Sequence, residues 1–352
     1  MSTLTVSNIQ SSGGGGVAAN LASLNGGPLA GFRNRIINGN FDIWQRGTSF
    51  TGNEFGADRW FHGRVGTTHT ASRVAFTVGQ TAVPNEPTHL CRTVVTSVAG
   101  AGNYAILEQR IEDVRTFAGQ QVTISFWAKA DATKNIAINM VQNFGTGGSP
   151  SANAGISGTK VSIGTTFQKV TVTATLPSIS GKTFGTDANN HLKLLIWFDA
   201  GSTYNSDTDS LGQQSGTFDI AQVQIEPGPV ATPFEQRPIG TELALCQRYF
   251  QQLGGGMVGF EEGISTHSYG LSFRQPMRTA PTFSLISSSF AYRYINASGA
   301  GDRAITISIN GATVISTQGA WLYLNDPSGG SVAGRGAVER NGGNYINASA
   351  EL

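Results

Sequence analysis

Residues 122–130 read VTISFWAKA, and this run decides the fold. Successive side chains of a strand point to opposite faces, so Val122, Ile124, Phe126 and Ala128 share one side, and Thr123, Ser125, Trp127 and Lys129 share the other. Between Ile36 and Ile225 the stretches FQKVTVTATL, HLKLLIWFD and FDIAQVQIE repeat the alternation, separated by Gly, Ser, Asn and Asp clusters that supply turns. Many short strands with no helical period between them predict an all-β fold, an antiparallel jelly-roll β-sandwich.

Composition agrees with that reading. Gly accounts for 46 of 352 residues with no G-X-Y period, and charged residues make up only 13% against a usual share of about 25%. The surface is therefore built from neutral polar groups and glycine. A hydrophobic fraction of 39% is too high for a disordered tail, and the net charge of +1 excludes a polycationic nucleic-acid binder. No stretch reaches the roughly 20 apolar residues of a membrane-spanning helix, and the N-terminus lacks the basic start and apolar run of a signal peptide. Membrane insertion is not expected. Cys91 and Cys246 stand far apart without metal-type spacing, so no disulfide framework is expected either.

The chain divides into four parts. Residues 1–34, with Gly13 to Gly16 as a hinge, read as an N-terminal anchor segment, and residues 35–238 as the jelly-roll domain. After the Pro-rich exit PGPVATPFEQRP the period changes. IGTELALCQRYFQQL places Ile239, Leu243, Cys246, Phe250 and Leu253 at spacings of 4, 3, 4 and 3, a two-heptad seam that Gly254 to Gly256 would end. So short a helix is marginal alone in water, and its stripe must be buried on something. Packing on its own domain is one solution. The sharper expectation is a trimeric neck over 239–256 with those five residues as its interface. Strand signals return in MVGFEE, YGLSFRQ, PTFSLISSS and AWLYLND, predicting a C-terminal β domain over 257–352.

Several stretches resemble a family of bacteriophage and prophage tail proteins with a carbohydrate-binding-module-like sandwich. They are RIINGNFDIWQRGTSF at 35–50, ADRW at 57–60, ISFWAKA at 124–130, LSFRQPMRTAPTFSL at 271–285 and, most specifically, IAQVQIEPGPVATPFEQRPIGTELALCQRYF at 220–250. The resemblance implies a virion tail fibre or related appendage, a homotrimer held to the tail or an adaptor protein through its N-terminus. It names no ligand, since sites are grafted on folds, and a host-surface glycan is the partner expected for an attachment role. A polysaccharide-degrading tailspike and a purely structural capsid decoration are the other roles such a chain would fill.

Catalysis finds little support in the residues. His62, His69, His89, His191 and His267 show no HExxH spacing, GGGG lacks a following Lys-Ser or Lys-Thr, and the adjacent Glu261 and Glu262 would point to opposite faces of a strand. The expectation is a non-enzyme. Sugar binding has a physical basis in Trp127 beside Lys129 and in Trp197, which shares parity with Lys193 and Asp199, because an indole face stacks on a pyranose while polar neighbours bind its hydroxyls. The same tryptophans would also fit under a loop or at a subunit contact. Trp44 and Trp60 read as packing residues. No cofactor is expected. The resemblance adds one metal site, a structural Ca²⁺ where first and last strands meet, with Asp42 and Asp219 as ligands. Two carboxylates do not satisfy an ion that takes six to eight oxygens, and turn-capping is the plainer role.

Overall fold

The alternation at 122–130 is realised in full. The computed structural model describes residues 32–254, 258–263, 265–286, 289–296, 299–306, 308–313, 315–325, 336–339 and 344–352. The sandwich strands in chain order are β1 (Ser49–Phe50), β2 (Glu54–Phe55), β3 (Trp60–Val65), β4 (Thr68–Ala75), β5 (His89–Thr96), β6 (Tyr104–Glu112), β7 (Gln121–Ala130), β8 (Lys134–Asn143), β9 (Ala154–Gly155), β10 (Thr159–Ile163), β11 (Gln168–Thr175), β12 (His191–Ala200) and β13 (Gly216–Pro227). One sheet runs β1-β4-β5-β13-β7-β11 and the other β10-β8-β12-β6-β3-β2, with β9 paired to β8. All these pairings are antiparallel.

The core between the sheets takes the apolar phase of each strand: Val122, Ile124, Phe126 and Ala128 from β7, and Leu192, Leu194, Ile196 and Phe198 from β12. In β13 the phase switches midway. Phe218 and Ile220 point inward, and so do Val223 and Ile225, because a register shift between Ala221 and Gln224, with Gln222 at φ 51°, inserts an extra residue. A bulge of this kind restores burial after a break in alternation. Trp60 and Trp44 close the end of the core, their indole nitrogens donating to Asn38 O (3.0 Å) and Phe41 O (2.6 Å).

The segments 33–42 and 223–242 lie against each other. Asn34 Oδ1 accepts from the amides of Ile36 and Ile225, Glu235 accepts from the amides of Arg33 and Asn34, and Glu242 accepts from the amide of Asn38 while pairing with Arg237. These residues hold the N-terminal motif onto β13 and its exit. The expected boundary at residue 34 therefore moves, since Arg33 and Asn34 already belong to the sandwich. The rest of the anchor segment, residues 1–31, lies outside the described residues.

The neck is corrected more substantially. A helix, α2, covers Ile239–Gln247 only, and from Phe250 the chain is a strand, β14 (Phe250–Gly254). The apolar spacing does not mark a single helical face. Ile239 is 61% exposed and Leu243 half-buried, whereas Glu242, Cys246 and Gln247 are buried. Burial of Glu242 and Cys246, four apart, shows that α2 packs on its own chain. Phe250 and Leu253 are buried in β14, with Arg46 stacked over the Phe250 ring at 3.5 Å. The five residues expected as a trimer seam thus form no continuous stripe, and residues 255–257 lie outside the described residues.

The C-terminal unit begins with β14, not at residue 257. It continues through β15 (Val258–Glu261), β16 (Thr266–Ser272), β17 (Thr282–Leu285), β18 (Ser289–Asn296), β19 (Gly299–Thr306), β20 (Ser308–Thr313), β21 (Gly319–Asn325), β22 (Gly336–Glu339) and β23 (Asn344–Ser349). A three-stranded sheet, β14-β23-β17, and a larger one, β19-β18-β22-β15-β16-β21-β20, share a core around Leu253, Tyr269, Leu322 and Ile346. The joint with the sandwich is ionic and buried. Glu351 pairs with Arg46 (2.9 Å) and Arg59, and Arg59 stacks over Tyr249 at 3.5 Å.

Candidate functional site

β12 lies between β8 and β6, and its outward phase is Lys193, Leu195 and Trp197. Register sets Trp197 beside Ile106 and Ala137, Leu195 beside Glu108 and Asn139, and Lys193 beside Arg110 and Val141. This outer face grades from aromatic and apolar at one end to charged at the other. Trp197 is only 5% exposed, because Tyr104 and Tyr204 pack on it with ring centroids 5.6 and 5.1 Å away. Its Nε1 donates to Asn139 Oδ1 at 2.9 Å, which fixes the indole in the face. The two tyrosines, half-buried, are the rings that solvent reaches.

The loop after β12 brings Tyr204 into place. Gly201 lets it pass close to the chain, since a Cβ there would lie 2.3 Å from the carbonyl oxygens of both Gly100 and Ala101. A 3-10 turn (Ser202–Tyr204) and the short α1 (Asn205–Thr208) follow, and Asp209 at φ 51° ends them. Opposite, the segment 153–157 forms a second wall. Between the walls lies a groove of about 470 Å³ floored by Asn139, Leu195 and Trp197, with Tyr204, Ser206, Asp207 and Lys193 on its sides. Lys193 Nζ stands 3.9 Å from Glu108, which also accepts from Arg110 Nε at 2.5 Å.

Trp127 lies on the outer face of the other sheet, so the structure does not bring the two expected platforms together. It is half-buried at a smaller cleft of about 340 Å³, crossed by the chain's own exit segment through Ala231, Pro233 and Phe234. Lys169 Nζ donates across it to Thr232 O at 3.2 Å. The loop-covered alternative therefore describes Trp127. Lys129 is committed elsewhere, 3.6 Å from Asp219.

Asp42 and Asp219 are corrected as a metal pair. Asp219 is 2% exposed and takes a bidentate contact from Arg92 at 2.7 and 2.8 Å, so its oxygens serve cationic side chains. Asp42 accepts from Asn40 Nδ2 and Thr88 Oγ1 beside another cavity. They share no partner, and no group of three or more metal-ligating side chains occurs among the described residues.

Sequence reasoning missed Tyr104 and Tyr204. Tyr104 was legible in YAILEQRIE, where Ala105, Leu107 and Ile111 are core and Tyr104, Ile106, Glu108 and Arg110 take the other phase. Tyr204 stands in a turn, where no period signals its direction.

No protein-family model matches the chain, and no curated protein matches it. Solved structures with some likeness include a family 11 carbohydrate-binding module from Clostridium thermocellum in complex with a β-1,3-1,4-mixed-linked tetrasaccharide, at 10% identity and TM-score 0.32 over 53% of this chain and 98% of that one. The CBM22-2 xylan-binding domain from Paenibacillus barcinonensis Xyn10C gives 17% identity and TM-score 0.31 over 51% of this chain and 98% of that one. The enzymatically active domain of tailspike protein 4 of bacteriophage CBA120 gives 15% and 0.31 over 55% of this chain and 21% of that one.

Proposed function

We propose that this chain is a non-catalytic, glycan-binding virion protein whose sandwich takes saccharide in the Tyr204 groove. The observation that carries the reading is the aromatic group on an outer sheet face, where Tyr104 and Tyr204 stand solvent-reached on a buried Trp197. Aromatic faces and a few fixed polar groups are what a saccharide site needs. Glu108 is engaged by Arg110 and Lys193, so it supports binding and orientation better than acid catalysis. Attachment to a phage tail and trimerisation belong to the same reading and rest on the sequence resemblance.

Tyr204→Ala separates platform from support. It should weaken binding to bacterial surface polysaccharide by about 1–3 kcal/mol, the scale of aromatic stacking on nucleobases, and leave the melting temperature close to wild type. Trp197→Ala should instead cost about 3–5 kcal/mol of stability, as loss of a buried aromatic does. Affinity electrophoresis with differential scanning fluorimetry reads both, and unchanged retardation of Tyr204→Ala would refute the site. Light scattering on the full chain should give the mass of three copies. A monomer mass would remove trimerisation from the reading.

A further inference from the structure

A second cavity, of about 510 Å³, opens beside the segment that leads into the sandwich. That segment alternates. Asn34 and Ile36 are buried against β13, and the opposite phase, Arg33 and Arg35, lines the cavity. The charge there is uncompensated. Glu112 is the only acid in the lining, and it is taken by Arg248 (2.7 and 3.0 Å) and the Tyr249 hydroxyl (2.9 Å). Arg110, also in the lining, is engaged by Glu108 and by Leu352 O. Neither the Arg33 nor the Arg35 guanidinium makes a hydrogen bond or ion pair among the described residues. Residues 1–31 contain no Asp or Glu, so that segment carries no side-chain carboxylate.

Two like charges two residues apart repel unless an anion joins them. The guanidinium fork suits a carboxylate in particular, because two parallel N–H groups match its two oxygens. The cavity has the volume of a small-ligand site, and Phe32 at its edge is 43% exposed with the Arg237 guanidinium over its ring at 5.1 Å. We infer that this cavity binds a carboxylate-bearing saccharide, with Arg33 and Arg35 clamping the uronate group. The anion chemistry stands on the cavity alone, and the saccharide part rests on the glycan-binding reading. Sulfated sugars share the oxyanion, and the test distinguishes them.

Isothermal titration of the full chain with tetragalacturonate, a sulfated oligosaccharide of similar length and a neutral cello-oligosaccharide decides it. Tetragalacturonate should bind, weaken as salt is raised from 0.05 to about 0.3 M, and lose about tenfold or more in affinity in the Arg33→Gln/Arg35→Gln variant. The single Arg35→Gln change, on an exposed side chain, should lose at least about threefold, and both variants should melt as wild type does. The groove is read separately by Tyr204→Ala with bacterial surface polysaccharide, so this inference can fail while the groove stands, and the reverse. Absence of tetragalacturonate binding, equal binding by the double variant, or tighter binding of the sulfated chain would each overturn it.

Discussion

Replacing Glu351 with Gln is expected to lower the unfolding free energy by about 3–5 kcal/mol, the cost of removing one partner from a buried ion pair. Its carboxylate is 7% exposed and lies between Arg46 and Arg59, with side chains 14% and 1% exposed. Burial holds both guanidinium pKa values down to about 10, with Asp58 and the Tyr249 ring among the groups that oppose the shift. Without Glu351 two buried cations would share Asp58 alone, 3.9 Å from Arg46. The same contacts join the sandwich to β14, because the two guanidiniums stack over Phe250 and Tyr249. The loss should therefore appear in the unfolding of both units together in urea. A variant with the wild-type midpoint would show that the pair contributes nothing.

Acid should destabilise the protein well above the range where carboxylates titrate. Burial holds His62 neutral down to about pH 3 and His191 to about pH 4, and it lowers His69 as well. His62 faces His69 with ring centroids 5.9 Å apart, and neither of its ring nitrogens has a hydrogen-bond partner among the described residues. The charged groups around the pair are Arg64, which opposes protonation of His69, and Glu54, which weakly favours it. In the unfolded chain these imidazoles titrate near 6.5. The folded pKa values are depressed, so the stabilisation is complete above about pH 6.5 and is lost as pH falls toward 3. Buried Asp58 and Glu242 are shifted up by desolvation and act oppositely, gaining stability as pH falls through their raised range. Below about pH 6.5 each buried histidine removes up to about 1.4 kcal/mol per pH unit. The unfolding free energy from urea titrations should fall as pH drops below about 6.5, and His62→Gln should flatten that slope by up to about one proton. A pH-independent midpoint would contradict the burial of the pair.

Strand positions were legible because burial on one face forces period two, and β7 follows it throughout, as does β12 as far as the register shift after Trp197. Where the phase slips, as at Gln222, the apolar pattern survives only by way of a bulge, which the string FDIAQVQIE does not announce. The seam from Ile239 to Leu253 misled for a related reason. Apolar spacing fixes neither the backbone nor the buried set: Cys246 is buried in helical α2 and Phe250 and Leu253 in extended β14, while Ile239 is exposed and Glu242 is buried. Tyr249 and Phe250 lie beneath guanidiniums from distant parts of the chain, which no local spacing announces. Lys129 and Asp219 meet through β7–β13 register, a pairing that no local pattern fixes. The direction of Trp197 was readable from parity. Its cover by Tyr204 was not, since that depends on a close backbone passage at Gly201.

The central claim is that saccharide lies in the groove between Tyr204 and the 153–157 wall. Hydroxyl-radical footprinting of the full chain, with and without a saturating bacterial surface polysaccharide, tests it most directly. The account predicts protection of Tyr204, with Trp197 slow to react in both states and Trp127 unchanged. Protection centred on Trp127, or no change at Tyr204 under conditions where the polysaccharide is bound, would contradict it.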